Sequence, residues 1–219
     1  MGTDGDYSDT DTPFTEYYKG SLTSIDQYYW NYNASNRGTN TWSTSLLNKI
    51  NLNTNFITNI GTEWAKKITT TTWKVGGNTY ENLSEVVPSV AYQNEIVNPV
   101  TTNTTDNATE YTAKIGLMYV SDYGYAASPA YWTYYGYNDD ATKDYRAATS
   151  SNWMYMGLRD FTISRGANQV SLIMSVDIDG SLFGNDVSLR SSVRPSFSLE
   201  TTVNYVSGSG TQSDPIIIE

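Results

Sequence analysis

The feature that most constrains the fold is a strict alternation of residue types in the last third of the chain. Val170, Leu172, Met174, Val176 and Ile178 alternate with Ser171, Ile173, Ser175, Asp177 and Asp179. Because successive side chains of a β-strand point to opposite faces, this period of two predicts a strand with one core face and one free face. Asp179-Gly180 then predicts a tight hairpin turn, and Leu182 and Phe183 belong to the predicted return strand.

Several other segments have the composition of strands and turns. Val193, Pro195, Phe197 and Leu199 form a second alternation, and Gly208-Ser209-Gly210 predicts a turn before a last strand at residues 216–218. We expect this last strand to pair near the beginning of the domain. Further strands are predicted at residues 25–30, 69–75 and 111–120, with turns at Gly76-Gly77 and at residues 121–125.

Two amphipathic helices are predicted from apolar residues spaced three and four apart. Ser43 has the residue type of an N-cap for the first helix, and Asn53 or Thr54 has that of a cap for the second. The apolar positions are Leu46, Leu47 and Ile50, then Phe56, Ile57, Ile60 and Trp64. We expect these stripes to pack on a core rather than to form a binding groove, and residues 86–97 fit either a helix or a strand.

The charge and the missing residue types exclude several classes of function. A formal net charge of -10 would repel nucleic acid and anionic membranes, so we expect neither as a partner. With no cysteine the chain has no disulfide, thiolate zinc site or thiol nucleophile. With no histidine it also lacks the usual general base and the commonest transition-metal ligand.

The composition and the N-terminus suggest an extracellular or cell-surface location. Only 16% of the residues are charged, so solubility depends on the many Thr, Ser and Asn side chains. The N-terminus has no basic n-region and no apolar h-region, so we expect any export or anchoring segment to be absent from this chain. We expect residues 1–22 to be weakly ordered and residues 23–219 to form a single domain.

Residues 123–155 are rich in tyrosine and tryptophan, interleaved with Ser, Gly, Asn and Ala. This is the composition of recognition loops, in which rigid amphipathic rings supply contact area and small polar residues adapt around them. The rings can equally pack under long loops. We expect surface recognition from residues 131–137 and burial of Trp153 and Tyr155.

Four segments together resemble the C-terminal domains of exported, pilin-like proteins of gut bacteria. They are residues 114–126 (KIGLMYVSDYGYA), 152–155 (NWMY), 161–165 (FTISR) and 192–199 (SVRPSFSL). Those domains are similar to the C-type-lectin-like fold that formylglycine-generating enzymes share with the variable proteins of diversity-generating retroelements. The resemblance implies an α+β fold of this type, with small antiparallel sheets, two helices and long loops.

The resemblance also implies a diversified ligand-display region at residues 159–191. The alternation agrees, because residues on the solvent side of a hairpin can change without creating a cavity. The residues expected to bind ligand in this region are Arg159, Asp160, Gly166, Asn168, Gln169, Ser171, Ser175, Asp177, Ser181, Phe183, Asn185, Asp186, Ser188 and Arg190. The formylglycine-generating activity is not implied, because it requires a copper-binding cysteine pair that this chain lacks.

The sequence therefore predicts a non-enzymatic display domain that binds an unknown protein or glycan and needs no cofactor. Two alternatives remain: a carbohydrate-binding module that stacks sugars on Trp132, Tyr134 and Tyr135, and a structural pilus-tip domain that uses the same rings. Asp177-Ile178-Asp179-Gly180 resembles part of a calcium loop but lacks its first ligand and its distal glutamate, so a hairpin turn explains it better. We expect Asp139-Asp140 to be solvated acids rather than a catalytic pair.

Overall fold

The computed structural model describes residues 29–31, 38–79, 86–101, 108–132 and 149–219. The predicted N-terminal segment 1–22, most of the predicted strand 25–30, and the recognition candidates Tyr134 and Tyr135 lie outside the described residues. Within them the chain is a mixed α and β protein with small sheets and short helices. No helix of this part of the chain is both long enough and apolar enough to cross a membrane.

A four-stranded sheet contains the region where the alternation lies. Its strands, in the order β2-β5-β6-β7, are β2 (Gly77–Asn78), β5 (Asp160–Gly166), β6 (Leu172–Val176) and β7 (Leu182–Asp186). β5, β6 and β7 are antiparallel neighbours, whereas β2 pairs with β5 in parallel. The predicted hairpin is confirmed: β6 and β7 pair from Leu172 with Asp186 to Val176 with Leu182, and the Gly180 N–H donates to the Asp177 carbonyl at 3.0 Å.

Three two-stranded sheets complete the β-structure of the described ranges. They pair β1 (Thr71–Lys74) with β3 (Glu110–Ala113), β4 (Gly116–Leu117) with β8 (Pro195–Ser196), and β9 (Tyr205–Ser207) with β10 (Ile217–Ile218). The strand predicted at residues 69–75 is thus confirmed in β1. The last strand does not pair near the beginning of the domain, because β10 folds back on β9 as a local hairpin.

The first helix, α1, is a π-helix at Leu47–Phe56 that continues as an α-helix at Ile57–Asn59. Its capping serine is Ser45 rather than Ser43, because the Ser45 hydroxyl accepts the Asn48 N–H at 3.1 Å. The predicted cap at Asn53 or Thr54 is also wrong. The helix continues through both residues, and the break before α2 (Thr62–Lys67) comes at Gly61, which has a φ of 84°.

Two later helices replace predicted strand and turn segments. The ambiguous segment 86–97 is helical: α3 is an α-helix at Pro88–Tyr92 that continues as a π-helix at Gln93–Val97. The predicted strand 111–120 is split between β3 and β4, and residues 121–125 belong to a helix, α4 (Val120–Tyr125), rather than a turn. A capping box explains its start, because the Tyr119 N–H donates to the Asp122 carboxylate at 2.9 Å.

Apolar clusters cover both faces of the central strands β5 and β6, so β6 lacks the free face that the alternation predicted. Ile173 belongs to one apolar cluster together with Phe161, whereas Met174 and Val176 belong to a second one. The first cluster includes side chains of α1, β1 and β4, and the second includes side chains of α3 and α4. Ser175, on the face predicted to be free, is 0% exposed.

The ends of the alternation behave in the opposite way. Val170 and Ile178, predicted as core, are exposed because they lie in the turns that flank β6. The predicted strand at residues 193–199 is likewise reduced to the two residues of β8, and Phe197 and Leu199 are exposed. Alternation identified the hairpin correctly but not the extent of its buried part.

Gly76-Gly77 is not a simple turn, since Gly77 begins β2. A Cβ atom at Gly77 would lie 1.8 Å from the Arg165 carbonyl oxygen, far inside van der Waals contact. The glycine allows β2 to approach β5 closely enough for the parallel pairing of Gly77 with Arg165.

Candidate ligand-binding surface

The predicted display residues do not form one face, because they lie at two opposite ends of the sheet. Asp177 and Ser181 flank the turn from β6 to β7, near the start of β5. Asn168, Gln169 and Ser171 lie in the turn from β5 to β6, beside the end of β7. A strand of five residues rises about 17 Å, so the two groups are separated by roughly the length of β6.

At the end near the β5–β6 turn, the display candidates contact Tyr29 and Asn40. Arg190 stacks over the Tyr29 ring at 5.2 Å and donates to its hydroxyl at 3.2 Å. The Asn40 amide donates to three carbonyls around the β5–β6 turn, including that of Gln169 at 2.8 Å. Asp186 accepts the N–H and hydroxyl of Ser188 in a tight turn, at 2.9 and 2.6 Å.

At the opposite end, Arg159 lies between an acid and a ring. Its guanidinium donates to the Asp177 carboxylate at 3.1 Å and lies over the Phe183 ring at 5.0 Å. All three side chains are partly exposed. Arg159, Asp177 and Phe183 are thus the predicted display residues that lie beside the β6–β7 turn and are in contact with solvent.

Five predicted ligand-binding residues are buried and offer no surface in this structure: Asp160, Gly166, Ser175, Ser181 and Asn185. The second core cluster covers the side of the sheet opposite Ile173, and all seven residues of β5 are buried. Because these five residues are buried, they are not part of the candidate binding surface.

Asp160 instead forms a buried ion pair with Arg194. The carboxylate lies 2.8 Å from the guanidinium and also accepts the Ser192 hydroxyl at 2.5 Å. Burial raises the pKa of Asp160, and this effect outweighs the lowering by Ser192 and Arg194. Arg194 further donates to the Met154 carbonyl at 2.7 Å, so the pair holds residues 152–155 against the sheet.

The tyrosine-rich segment meets the β6–β7 turn directly. The Tyr155 hydroxyl donates to the Ile178 carbonyl at 2.7 Å, and the Tyr123 hydroxyl donates to the Gly180 carbonyl at 3.0 Å. The two regions that the sequence offered as rival binding sites are therefore neighbours. We call the surface that they form the aromatic–hairpin face and define it by Tyr125, Trp132, Trp153, Tyr155, Arg159, Asp177, Ile178 and Phe183.

Trp153 is the most exposed large apolar side chain of this face. It is 79% exposed, so the prediction that it is buried is wrong. Its neighbour Asn152 is buried instead, donating to the Tyr123 carbonyl at 2.8 Å and accepting the Met154 N–H at 2.9 Å. This asparagine turn holds the backbone and turns the indole outward. Tyr155 is half-buried, as the bond from its hydroxyl to the hairpin turn requires.

Trp132 and Tyr125 form a second pair of rings on the face. Their ring centroids are 5.0 Å apart and the rings are nearly perpendicular, at 88°. The Trp132 indole N–H donates to the Ala127 carbonyl at 2.8 Å, and both rings remain more than a third exposed. Of the predicted recognition stretch 131–137, Tyr131 and Trp132 are described, and both are exposed.

No family model matches the chain, and neither a curated protein nor a solved structure is significantly similar to it.

Sequence reasoning missed a second buried carboxyl group, Glu95 on α3. It is 0% exposed and accepts the Ser121 N–H at 3.0 Å and, weakly, the Asn78 amide at 3.5 Å. Burial raises its pKa to about 7, against lowering by hydrogen bonds from Ser164 and Ser121. Its position in an ambiguous segment of the sequence gave no sign that it lies in the core.

The described residues contain no group of three or more acidic side chains placed to hold a metal ion. Asp177 and Asp179 accept hydrogen bonds from their own turn, at 2.7 Å from the Ile178 N–H and 2.9 Å from the Ser181 N–H. These are the bonds of a tight turn. The groups that the aromatic–hairpin face presents to a ligand are therefore mainly exposed aromatic rings, with Arg159 beside them.

Proposed function

We propose that this chain is a non-enzymatic, extracellular ligand-binding domain whose binding surface is the aromatic–hairpin face. The observation that carries the proposal is that exposed rings lie on adjoining segments. The backbone N–H of Trp153 donates to the Ala126 carbonyl at 3.3 Å, and the indole of the Trp132–Tyr125 pair donates to the Ala127 carbonyl at 2.8 Å. Contiguous exposed apolar surface on a protein is unusual and marks sites of interaction. Tyrosine, tryptophan and arginine are also the residues that contribute most to binding hot spots.

The rings are preorganised, which supports binding over a role in loose packing. The Tyr155 hydroxyl and the Trp132 indole each donate to a backbone carbonyl, and Asn152 fixes the turn that presents Trp153. Side chains held in place before binding lose less conformational entropy when a ligand arrives. The face therefore has both the contact area and the rigidity of a recognition surface.

We further propose a C-type-lectin-like scaffold of the retroelement-diversified type, on the resemblance of the four sequence segments. Diversification would then fall on residues of 159–191 that reach solvent, foremost Arg159, Asp177 and Phe183 on the aromatic–hairpin face. The source genome provides the test. This proposal expects a near-copy of the stretch encoding residues 159–191, beside a reverse transcriptase gene and differing mainly at adenines. If the genome contains no such near-copy, the proposal of retroelement diversification is refuted, whereas the proposal of a binding surface is not.

Binding itself is tested with arrays of glycans and of extracellular proteins, probed with the chain and with Trp153→Ala. We expect the variant to lose at least about tenfold in affinity for any ligand found, as truncation of a central aromatic anchor does. Tyr92→Ala is the matched control, because Tyr92 is an exposed ring on α3 outside the face. Equal binding by Trp153→Ala and the wild type would overturn the proposal.

A carbohydrate-binding module is the second candidate, favoured by the perpendicular Trp132–Tyr125 pair with its exposed rings. Flat exposed rings suit the apolar faces of sugars. This candidate predicts that Trp132→Ala abolishes glycan binding whereas Asp177→Ala and Phe183→Ala leave it unchanged. A protein ligand spread over the whole face predicts losses from all three variants.

A further inference from the structure

A second surface, far along the chain from the aromatic–hairpin face, is unusual in a different way. The β9–β10 hairpin exposes Tyr205, Val206, Ile216 and Ile217, which we call the hairpin patch. Tyr205 is 66% and Val206 50% exposed, and as neighbours in one strand they point to opposite faces. Neither face of this hairpin is therefore covered by the residues that the structure describes.

The hairpin is joined to the body of the molecule near its base. The Glu200 N–H donates to the Lys67 carbonyl at 2.8 Å, and the Val203 N–H donates to the Glu200 carbonyl at 3.0 Å. Within the described residues β9 and β10 pair with each other and with no other strand. A lone two-stranded hairpin is marginally stable in water, and free strand edges invite pairing with another chain. These properties are typical of an element completed by a partner.

Charge indicates which partner fits. Residues 200–219 carry three acidic side chains, Glu200, Asp214 and Glu219, and no lysine or arginine. At α2, in contrast, Lys66 and Lys67 follow Glu63, which pairs with Lys66 at 2.9 Å, and the Lys114 ammonium donates to the Ala65 carbonyl at 2.8 Å. Three cations and one acid therefore meet at this helix, whose Trp64 is 50% exposed. An acidic apolar patch and a basic apolar patch thus adjoin through the Glu200–Lys67 backbone bond.

We propose that the chain forms a symmetric dimer in which the β9–β10 hairpin of each copy packs on α2 of the other. When the two copies are related by a two-fold axis, the hairpin of each copy meets α2 of the other, so the same contact forms twice. This closed arrangement is the one found in most homodimers. The apolar side chains of the hairpin patch and Trp64 are buried in the contact, and the lysines face the carboxylates. This interface shares no residue with the aromatic–hairpin face, so different variants test ligand binding and self-association.

The first test is sedimentation velocity on the whole chain from about 1 to about 200 µM, where mass action favours a dimer at the upper end. We expect Val206→Ser/Ile217→Ser to weaken dimerisation at least about tenfold, and about 0.5 M salt to weaken the wild-type dimer severalfold. Val90→Ser is the matched control, because Val90 is a similarly exposed valine on α3. A monomer at every concentration, or a dimer that Val206→Ser/Ile217→Ser leaves intact, overturns the proposal.

Charge reversal tests the pairing without touching the apolar residues. Lys66→Glu/Lys67→Glu makes both patches acidic, and Glu200→Lys/Glu219→Lys makes the hairpin basic. Each variant alone should be monomeric, while their equimolar mixture should recover a dimer, because a mixed dimer contains two complementary contacts. A mixture that stays monomeric, or variants that each dimerise as the wild type does, contradicts the arrangement. The result of the Trp153→Ala binding test does not affect either dimerisation experiment. The proposed binding face and the proposed dimer can therefore be refuted separately.

Discussion

Glu95 places an ionisable carboxyl group in the core, where the charged form costs more free energy to bury than the neutral form. Its N–H partner on Ser121 favours the charged form, but complete burial disfavours that form more strongly and sets its pKa at about 7. Asp160 shows the same balance, with Arg194 as its counter-ion. Both acids lie beneath α4 or residues 152–155, the segments that carry the exposed rings, so their charge state affects the stability of the binding surface.

Glu95→Gln tests this balance through pH. The unfolded chain ionises Glu95 from about its ordinary pKa of 4.5, whereas the folded chain does so only near 7. The free energy of unfolding therefore falls as pH rises from 4.5 to 7, by up to about 3 kcal/mol from this group. Urea titrations at pH 5 and pH 7.5 should show a smaller fall for Glu95→Gln. The exposed Glu63→Gln serves as control, and an undiminished fall for Glu95→Gln would refute the assignment.

Arg194→Met should be strongly destabilising, because it leaves the Asp160 carboxylate buried without its counter-ion. Breaking such a pair costs about 3–5 kcal/mol. Arg159→Met removes an arginine from the exposed pair with Asp177 and should cost less than about 1 kcal/mol. Urea unfolding of both variants measures the difference. Equal losses would show that the Asp160–Arg194 pair has no special structural role.

Among the secondary-structure elements, the β6–β7 hairpin was the most predictable and the helix boundaries the least. Alternation and Asp179-Gly180 are local signals, so the strand pair follows from them directly. Whether a strand is covered on one face or two depends on distant residues such as Leu52 and Met118, and no local pattern records that. The same limit explains Ser175, a polar residue between two clusters that alternation assigned to solvent.

The position of β2 depends on one glycine, which gives a prediction for that element. Gly77→Ala places a methyl group against the Arg165 carbonyl and must push β2 from β5, for a loss of about 3 kcal/mol or more. Gly61→Ala meets no atom within 4 Å and should cost only about 1 kcal/mol, from its positive φ. Urea unfolding compares the two, and a Gly77→Ala variant no less stable than Gly61→Ala would contradict the parallel pairing.

For the whole molecule, the main difference from the sequence prediction is that one expected display face became two separate ends. Asn168 and Asp177 belong to the same predicted polar set, but β6 places them at opposite ends of the sheet. The tyrosine-rich segment, in turn, was predicted as an alternative site and instead adjoins Ile178 and Gly180. Such contacts between distant segments of the chain determine the candidate site, and a single sequence does not contain them.

The central claim, that the aromatic–hairpin face is the binding surface, is tested most directly by alanine substitution at both ends of the sheet. The affinity of each variant is measured for the ligand found on the arrays. We expect losses of at least about tenfold for alanine at Trp132, Trp153 and Arg159, and less than about twofold for alanine at Asn168, Gln169 and Ser188. Losses confined to the second group would place the binding surface at the other end of the sheet and contradict the account.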